Sequence, residues 1–292
     1  RMGIPSSRII SSNPIKSPSF IQQAYRAGID AFVADSLVEV QKLQCNAPGS
    51  KLMVRLAVDN AGSEWPLDEK FGAEPETVIQ VFRCGAELGL KPEGITFHVG
   101  SQCTALDSWS KALEKVSGVW HRLEDEGIYL HTLNLGGGFP IDYGKEVPSV
   151  SQVMDTVSTR MQSLFPKDLC LQLEPGRALV GDAGTMVSRV IGKATRGDEE
   201  WLYLDVGVFN GLMESLGGIR YEFSTSGSGP ERRWILAGPS CDSMDVIARD
   251  VWLSEPAIGD YVFVLSAGAY TTCYSSRFNG CRIPDTYLVD EG

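Results

Sequence analysis

Three consecutive glycines, followed by Phe139 and Pro140, are the strongest chemical signal of the chain. Gly136, Gly137 and Gly138 have no Cβ, so the backbone here can approach a ligand closely and present N–H groups to an anion. The run follows a predicted strand, and phosphate groups are often bound at the carboxyl ends of barrel strands. It therefore predicts a phosphate site, and an ordinary tight turn is the alternative.

A second motif at a predicted strand end is Glu174-Pro175-Gly176-Arg177. Its carboxylate and guanidinium are separated by a Pro-Gly turn, so both can face one ligand. The acid can bind a protonated ring nitrogen, while the arginine can bind phosphate in a bidentate manner. A surface ion pair across the turn is the alternative interpretation.

Another predicted strand ends in His98 and Ser101. The imidazole can stack on a flat cofactor and the hydroxyl can donate to a phosphate, although a lone histidine is more often a core or surface residue. Arg55 lies inside the apolar run 51–56. A guanidinium in such a run requires an anionic partner.

Further reactive side chains lie in the last third of the chain. Cys241 stands beside Asp242, and a neighbouring charge tunes the reactivity of a thiol, so the two predict an acid–base pair. A small buried cysteine is the alternative. Tyr270 is either a core residue or a phosphate ligand, and Phe278-Asn279 follows shortly after it.

The elements that must position these residues alternate between short apolar runs and amphipathic stretches up to about residue 180. Predicted strands are 8–11, 31–34, 51–56, 94–99, 132–135 and 170–173. Predicted helices are 19–27, 36–44, 76–88, 105–126 and 150–164. Uniformly apolar strands favour a parallel sheet, and its right-handed crossovers predict an α/β fold of the (β/α)8 barrel type.

The pattern changes after residue 182. Strands are predicted at 185–193, 200–206, 232–236 and 260–265, with one helix at 244–251 and a mobile surface loop at 224–231. This pattern predicts a separate, mostly antiparallel β domain. We therefore divide the chain into a partial barrel, 1–182, and a C-terminal β domain, 183–292.

The predicted strands are too few for a closed barrel. Eight strands are required, about six are found, and an open six-stranded sheet would leave two long edges unpaired. The chain also begins almost directly in a strand at Arg1. We therefore expect that an N-terminal piece is missing, unless the fold is not a barrel.

Composition excludes several classes of protein. The 292 residues carry a net charge of −11, which opposes binding to nucleic acid. No apolar run reaches the roughly 18 residues that cross a bilayer, and the N-terminus does not resemble a signal peptide. Seven scattered cysteines and three histidines favour neither disulfides nor a metal site. We expect a cytoplasmic protein.

Taken in order, these motifs resemble those of the fold-type III pyridoxal-phosphate decarboxylases, in the ornithine/lysine decarboxylase branch. The resemblance covers essentially the whole chain and rests on HVGSQ, GGGFP, EPGR, GPSCDSMD, GAY and FNG. The stretch 205–215, DVGVFNGLMES, is similar to the bacterial form of that branch. The resemblance implies an alanine-racemase-like barrel with a C-terminal β domain, and pyridoxal 5'-phosphate as cofactor.

The resemblance also implies roles for single residues. Glu174 would pair with the ring nitrogen of the cofactor, His98 would stack on the ring, and Arg55 would lie near the ring oxygen or support Glu174. The residues around the phosphate would be Ser101, Gly136, Gly137, Gly138, Gly176, Arg177 and Tyr270.

Other implied residues belong to a shared site. The active unit would be a head-to-tail homodimer in which Cys241 reaches the site of the partner subunit as proton donor. Asp242 would bind the distal amine of the amino-acid substrate. Phe278 and Asn279 would form part of the wall on the dimer side.

Two positions depart from the family pattern. The family's Schiff-base lysine lies in an apolar strand ahead of Arg1, and neither Lys16 nor Lys193 stands in such a setting. We expect the missing N-terminal segment to contain it, with the first two barrel strands. Relatives place acidic residues near Gly217-Gly218 to contact the distal ammonium, so the substrate need not be ornithine, although Asp242 can supply a negative charge.

The leading hypothesis is therefore a truncated decarboxylase of a basic amino acid. A catalytically inactive homologue that binds a regulatory partner, as antizyme inhibitors do, is the alternative, since the lysine is absent. A racemase of the same fold is a third candidate and would require a catalytic tyrosine in the β domain.

Overall fold

The computed structural model describes residues 3–66 and 70–289. The chain forms two compact units, one of Arg1–Phe139 and Pro148–Pro175, the other of Pro140–Val147 and Gly176–Gly292. The units thus meet in sequence at Gly176 instead of the predicted residue 183. A short segment before residue 148 also joins the second unit.

The first unit alternates strands and helices. Its strands are β1 (Ile10–Ser11), β2 (Ala31–Ala34), β3 (Lys51–Arg55), β4 (Ser63–Trp65), β5 (Lys91–Thr96), β6 (Ser101–Cys103), β7 (Thr132–Asn134) and β8 (Cys170–Gln172). Its helices are α1 (Pro18–Arg26), α2 (Leu37–Asn46), α3 (Pro75–Glu87), α4 (Leu106–Asp125) and α5 (Val150–Leu164). Strands β4 and β6 were not predicted, and the bounds of the other elements agree with the predicted ones to within three residues.

Six of these strands form one parallel sheet in the order β1-β2-β3-β5-β7-β8. Strands β4 and β6 make a separate antiparallel pair. Although β1 and β8 are the outer strands, the hydroxyl of Ser12 after β1 donates to the carboxylate of Glu174 after β8. The sheet is therefore curled, as in a partial barrel, which confirms the predicted fold class for this unit.

Local sequence signals determine where the helices begin. Ser17 accepts a hydrogen bond from the backbone N–H of Phe20, and Pro18 occupies the first turn. Ser149 forms a reciprocal capping box with Gln152. Such caps satisfy N–H groups that have no partner inside the helix, and they explain why the helix starts could be predicted.

The core of the first unit lies between the sheet and one face of each helix. All four residues of β2 are buried. On α4 the buried side chains include Trp109, Leu113, Val116 and Trp120, which recur at the helical spacing of three and four. The ring of Trp109 packs on Phe139, with 4.9 Å between the ring centroids.

Lys16 is a buried cation in the loop after β1. Its Nζ donates to the carbonyl oxygens of Asn13 at 2.8 Å and Val33 at 2.5 Å, and it lies 3.3 Å from the carboxylate of Glu39. Burial lowers the pKa of Lys16, and the charge of Glu39 opposes that change. These contacts tie the loop to the sheet and leave Lys16 a structural residue.

The second unit is built around a six-stranded sheet. Its elements are α6 (Arg177–Val180), β9 (Met186–Arg196), β10 (Glu199–Leu204), β11 (Phe223–Thr225), β12 (Glu231–Ala237), β13 (Val246–Ser254) and β14 (Tyr261–Val264). The strand order is β11-β14-β9-β10-β12-β13. Only the β10–β12 pair is parallel in this sheet of described residues. The edge strands β11 and β13 approach each other, so the sheet nearly closes, and the prediction of a mostly antiparallel domain is confirmed.

The predicted helix at 244–251 is wrong, because β13 occupies Val246–Ser254 and pairs antiparallel with β12. Between Ala248 and Val251 this strand carries one residue more than its partner, and Asp250 has a φ of 63°. This bulge breaks the two-residue alternation of a strand and produces a spacing that resembles a helix. Branched residues such as Ile247 favour the strand once a partner is present.

The predicted surface loop at 224–231 is shorter in the structure. Strand β11 takes its first two residues and β12 begins at Glu231. Gly229 donates its N–H to the carbonyl oxygen of Glu255, so the remaining turn is attached to the sheet. Among the described residues, no helix has both the length and the apolar character needed to cross a membrane.

Candidate active site

In the first unit, several predicted site residues meet at the carboxyl ends of the parallel strands. His98 follows β5, the three glycines follow β7, and Glu174 follows β8. The N–H of Glu174 donates to the carbonyl oxygen of Gly136 at 2.8 Å. A Cβ added to Gly137 would lie 3.3 Å from Nε2 of His98 and 2.8 Å from the carbonyl oxygen of Glu174. The three motifs are therefore direct neighbours.

The glycine run has no space for side chains. Gly136 and Gly138 have φ angles of +65° and +96°, which other residues rarely adopt. An added Cβ would lie 2.3 Å from the carbonyl oxygen of Phe97 at the first position and 2.4 Å from that of Gly100 at the other. A tight turn by itself explains these two glycines. The role in binding phosphate stays a prediction.

The carboxylate of Glu174 is held by one oxygen. Oε1 accepts hydrogen bonds from Nδ2 of Asn134 at 2.9 Å and from the hydroxyl of Ser12. Over residues 3–66 and 70–289, no hydrogen-bond donor is found at Oε2, and the side chain is exposed. One oxygen is thus fixed, while the other can accept an N–H group from a ligand.

Sequence reasoning missed two residues of this group, Asn134 and Ser12. Asn134 carries a local signal, because Asn side chains commonly accept a hydrogen bond from the backbone two residues ahead. Its Oδ1 does so from the N–H of Gly136 at 2.8 Å. Ser12 has no such signal, since it meets Glu174 only where the sheet curls.

His98 is held as a neutral ring. Its Nδ1 accepts a hydrogen bond from the N–H of Gly100 at 3.0 Å, which assigns the ring proton to Nε2. Burial and the positive charge of Arg55 lower the pKa of His98 to about 4, against an ordinary value of 6.5. At neutral pH the side chain is therefore a flat, uncharged surface beside Gly137.

The half-buried imidazole of His98 leads to a prediction about the pH dependence of stability. Between pH 6.5 and about 4 the unfolded chain binds a proton at His98 that the folded chain does not. The unfolding free energy should therefore fall as the pH falls through this range, by up to about 1.4 kcal/mol per pH unit for one proton. Urea unfolding at several pH values should give a shallower pH dependence for His98→Gln than for the wild type.

The exposed residue His121 on α4 supplies the control, because His121→Gln also removes an imidazole but leaves the site untouched. An identical pH dependence in the wild type and His98→Gln would contradict a lowered pKa of His98 in the folded protein.

Arg55 and Ser101 lie near the same strand ends. Burial lowers the pKa of Arg55, and the negative charges of Asp35 and Glu174 act in the opposite direction. Its guanidinium lies 5.5 Å from the centre of the Phe71 ring. Two carboxylates therefore supply the anionic environment that an arginine here was expected to require. Ser101 begins β6 and is half-buried.

In the second unit, Arg177 is buried and forms an ion pair with a carboxylate of the same chain. Its Nη1 and Nη2 each donate to the carboxylate of Glu214 at 2.8 Å, and Nη1 also donates to the hydroxyl of Tyr143 at 2.6 Å. Burial alone would lower the pKa of Arg177, but the bonds to Glu214 reverse that change and raise it. A phosphate bound by Arg177 would therefore have to share it with Glu214.

Glu214 was not identified from the sequence, because its partner lies 37 residues away and neither residue belongs to a common motif. Tyr270 packs on the same guanidinium at 4.9 Å from its ring centre. Its hydroxyl also adjoins Gly176, where an added Cβ would lie 2.5 Å from it. The structure thus places Gly176, Arg177 and Tyr270 together.

Cys241 is exposed, which removes the interpretation as a small core residue. Nδ2 of Asn279 donates to its sulfur at 3.4 Å, and its own N–H donates to Oδ1 of Asn279 at the same distance. Asp242 is half-buried and accepts a hydrogen bond from the N–H of Met244 at 2.8 Å. Phe278 packs on Phe209, with ring centroids 4.7 Å apart. The sequence did not indicate the contact between Cys241 and Asn279, which the structure reveals.

No cluster of three potential metal-binding side chains occurs in the part of the chain that the structure describes. The arrangement in the first unit instead suits a flat, anionic ring compound. A neutral imidazole offers a stacking surface, a carboxylate oxygen can accept an N–H, and a turn of glycines, which lack side chains, lets a ligand approach the backbone closely.

Residues 1–181 match the family described as pyridoxal-dependent decarboxylase, pyridoxal binding domain. The chain is also 33% identical, over 294 residues, to a lysine/ornithine decarboxylase of Selenomonas ruminantium, covering 99% of this chain and 74% of that protein. The chain belongs to the pyridoxal-dependent decarboxylases. Within them it falls in the lysine/ornithine decarboxylase branch.

Solved structures of other pyridoxal-dependent decarboxylases have the same fold. A lysine/ornithine decarboxylase from Vibrio vulnificus, complexed with cadaverine, superimposes with a TM-score of 0.88 at 32% identity, covering 99% of this chain and 78% of that chain. The arginine decarboxylase of Paramecium bursaria Chlorella virus gives a TM-score of 0.87 at 26% identity, over 96% of this chain and 77% of that chain. The expected alanine-racemase-like fold is confirmed.

The side chains described above fit the cofactor from which this decarboxylase family takes its name. Glu174 keeps an oxygen available for a pyridine N–H, and His98 is neutral and flat beside Gly137. Neither lysine considered from the sequence lies among these residues. Lys16 is held by backbone carbonyls, and Lys193 donates to Glu255 in the second unit.

Proposed function

We propose that this protein binds pyridoxal 5'-phosphate and decarboxylates a basic amino acid of the lysine and ornithine type, releasing CO2 and an amine. The observation that carries the proposal is the carboxylate of Glu174, whose Oε1 is anchored by two donors while Oε2 has no donor among the described residues. The backbone of Glu174 adjoins Gly137, which in turn lies next to the ring of His98. Membership of the lysine/ornithine decarboxylase branch supports the same reaction.

The cofactor, when bound, withdraws the electron pair that the α-carbon keeps as its bond to the carboxylate breaks. Glu174 would hold a proton on the ring nitrogen, which would sustain that withdrawal. His98 would stack on the ring and, because it is neutral, would add no positive charge beside the protonated nitrogen. Gly137 and Gly138, together with Ser101, Gly176, Arg177 and Tyr270, would hold the phosphate, while Gly136, whose N–H donates to Asn134, would shape the turn.

We assign the final proton transfer to Cys241 of the partner subunit in a homodimer. Its thiol gives a proton to the α-carbon after CO2 has left, and the thiolate recovers a proton from solvent. Asp242 binds the distal ammonium group of the substrate. Phe278 and Asn279 form the adjoining wall of the substrate site. The scattered cysteines, which show no disulfide spacing, support a cytoplasmic location.

The substrate is tested with the full-length gene product, supplied with pyridoxal 5'-phosphate and carboxyl-labelled lysine, ornithine or arginine. Labelled CO2 from at least one of them is the expected result. Because Gly217-Gly218 carries no charge, we do not expect ornithine to be strongly preferred. No CO2 from any of the three, despite bound cofactor, would contradict the proposal and support a regulatory homologue without activity.

The shared site makes a second prediction, for a mixture of two inactive variants. Glu174→Gln damages the cofactor side and Cys241→Ala the proton donor, so each homodimer should be inactive. Random pairing makes half of the dimers mixed, each with one intact site, and should restore about a quarter of the wild-type activity. Measured CO2 release after mixing and exchange tests this, and no recovery would contradict a donor from the partner.

A further inference from the structure

Asn134 connects the two parts of the first unit that would hold the cofactor. It is the last residue of β7 and only 1% exposed. Nδ2 donates to Oε1 of Glu174 at 2.9 Å, while Oδ1 accepts the N–H of Gly136 at 2.8 Å. The carbonyl oxygen of Gly136 in turn accepts the N–H of Glu174 at 2.8 Å. Three hydrogen bonds thus close a ring through these three residues.

This ring of hydrogen bonds restricts two functional groups together. Because the amide is planar, the direction in which Nδ2 approaches Glu174 depends on the direction in which Oδ1 meets Gly136. Fixing Oε1 in this way leaves Oε2 as the oxygen that faces a ligand. The same amide holds the first peptide of the glycine turn.

We propose that Asn134 is a positioning residue that couples the carboxylate of Glu174 to the glycine turn. It would hold the two at the separation that lets them bind the ring nitrogen and the phosphate of one cofactor at the same time. This inference rests on the proposed function. The buried side chain of Asn134 contacts Glu174 and Gly136, so it would act on the cofactor through these two residues. A leucine, which has the same branched shape and number of side-chain heavy atoms, would leave the buried N–H of Gly136 without its acceptor and Glu174 with only Ser12.

The test measures dissociation constants by protein fluorescence for pyridoxal 5'-phosphate and for pyridoxal, which lacks the phosphate. Inorganic phosphate is measured as a competitor. Asn134→Leu should weaken both pyridoxal compounds by about tenfold or more, the cost of a buried group left unpaired. In a Glu174→Gln background the same change should cost pyridoxal binding much less, since the two side chains act as one unit.

Thr132→Val is the matched control. Thr132 is buried on the same strand, and its hydroxyl donates to Glu93 at 3.0 Å, away from Glu174 and the turn. Equal losses in Asn134→Leu and Thr132→Val, or a loss that is the same with and without Glu174, would overturn the coupling. A wild type that binds neither compound would overturn the proposed function as well.

Asn134→Ser separates the two halves of the proposal and is measured in every case, in the event that the leucine variant folds poorly. A serine hydroxyl can still accept the N–H two residues ahead, but it is too short to reach Glu174. Inhibition by phosphate should stay near the wild-type level while pyridoxal binding weakens. Unchanged pyridoxal binding in this variant would overturn the inference.

Discussion

Glu174→Gln should lower the turnover number for CO2 release by about 10²- to 10³-fold, the usual effect of removing one charge-stabilising group from an active site. An amide cannot keep a proton on the ring nitrogen of the cofactor, so electron withdrawal from the α-carbon weakens. The change should fall mainly on kcat, with KM altered little, because the lost interaction matters most while charge develops. Steady-state kinetics on the full-length protein with saturating cofactor measure both.

Glu93→Gln is the appropriate control for this variant. Glu93 lies on β5 and accepts a hydrogen bond from Thr132. The substitution Glu93→Gln therefore removes one negative charge from the first unit, as Glu174→Gln does, but at a residue outside the proposed site. It should keep kcat close to the wild-type value. A reduction of less than about tenfold in Glu174→Gln would mean that Glu174 is not the partner of the ring nitrogen.

Glu214→Ala should lower the unfolding free energy by about 3–5 kcal/mol, because it leaves the buried guanidinium of Arg177 without its counter-charge. The side chains of Arg177 and Glu214 are only 3% and 4% exposed, so water cannot replace the lost carboxylate. The hydroxyl of Tyr143 would be left as the neutral acceptor that the structure identifies for Nη1. Urea unfolding of the purified protein at neutral pH measures the change.

Two comparisons isolate the effect of burial. The Arg122–Glu76 pair has the same bidentate geometry but is exposed on the helices of the first unit, so Glu76→Ala should lower the unfolding free energy far less than Glu214→Ala does. Combining Glu214→Leu with Arg177→Met should recover much of the stability that Glu214→Ala loses, since no unpaired charge remains. Equal costs for Glu214→Ala and Glu76→Ala would contradict a buried ion pair.

The secondary structure of the first unit could be predicted from the sequence because its signals are local. Helix starts are marked by capping residues such as Ser17, Ser36 and Ser149. The strands are short apolar runs, of which Ala31–Ala34 is buried throughout. Strand β13 could not be predicted in this way. Its bulge depends on pairing with β12, which local periodicity does not reveal.

In the candidate site, too, the residues with local sequence signals could be predicted and the others could not. His98, the glycine run and Glu174 could be recognised because each is a short motif at the end of a strand, and parallel strands bring such ends to one edge. They lie close together in the structure because β5, β7 and β8 are adjacent parallel strands of one sheet. The residues that orient them are separated widely in sequence and carry little or no local pattern.

The sequence by itself therefore determined the family, the parallel sheet and the residues with chemical potential, since these depend on motifs and on spacing within a few residues. Only the tertiary structure decided what holds those residues in place. Ser12 donates a hydrogen bond to Glu174, which is 162 residues away in the sequence. Glu214 forms an ion pair with Arg177 at a separation of 37 residues, and Asn279 contacts Cys241 at a separation of 38. The physical reason is that such hydrogen bonds arise from the curvature of a sheet and the packing of loops, which no local segment encodes.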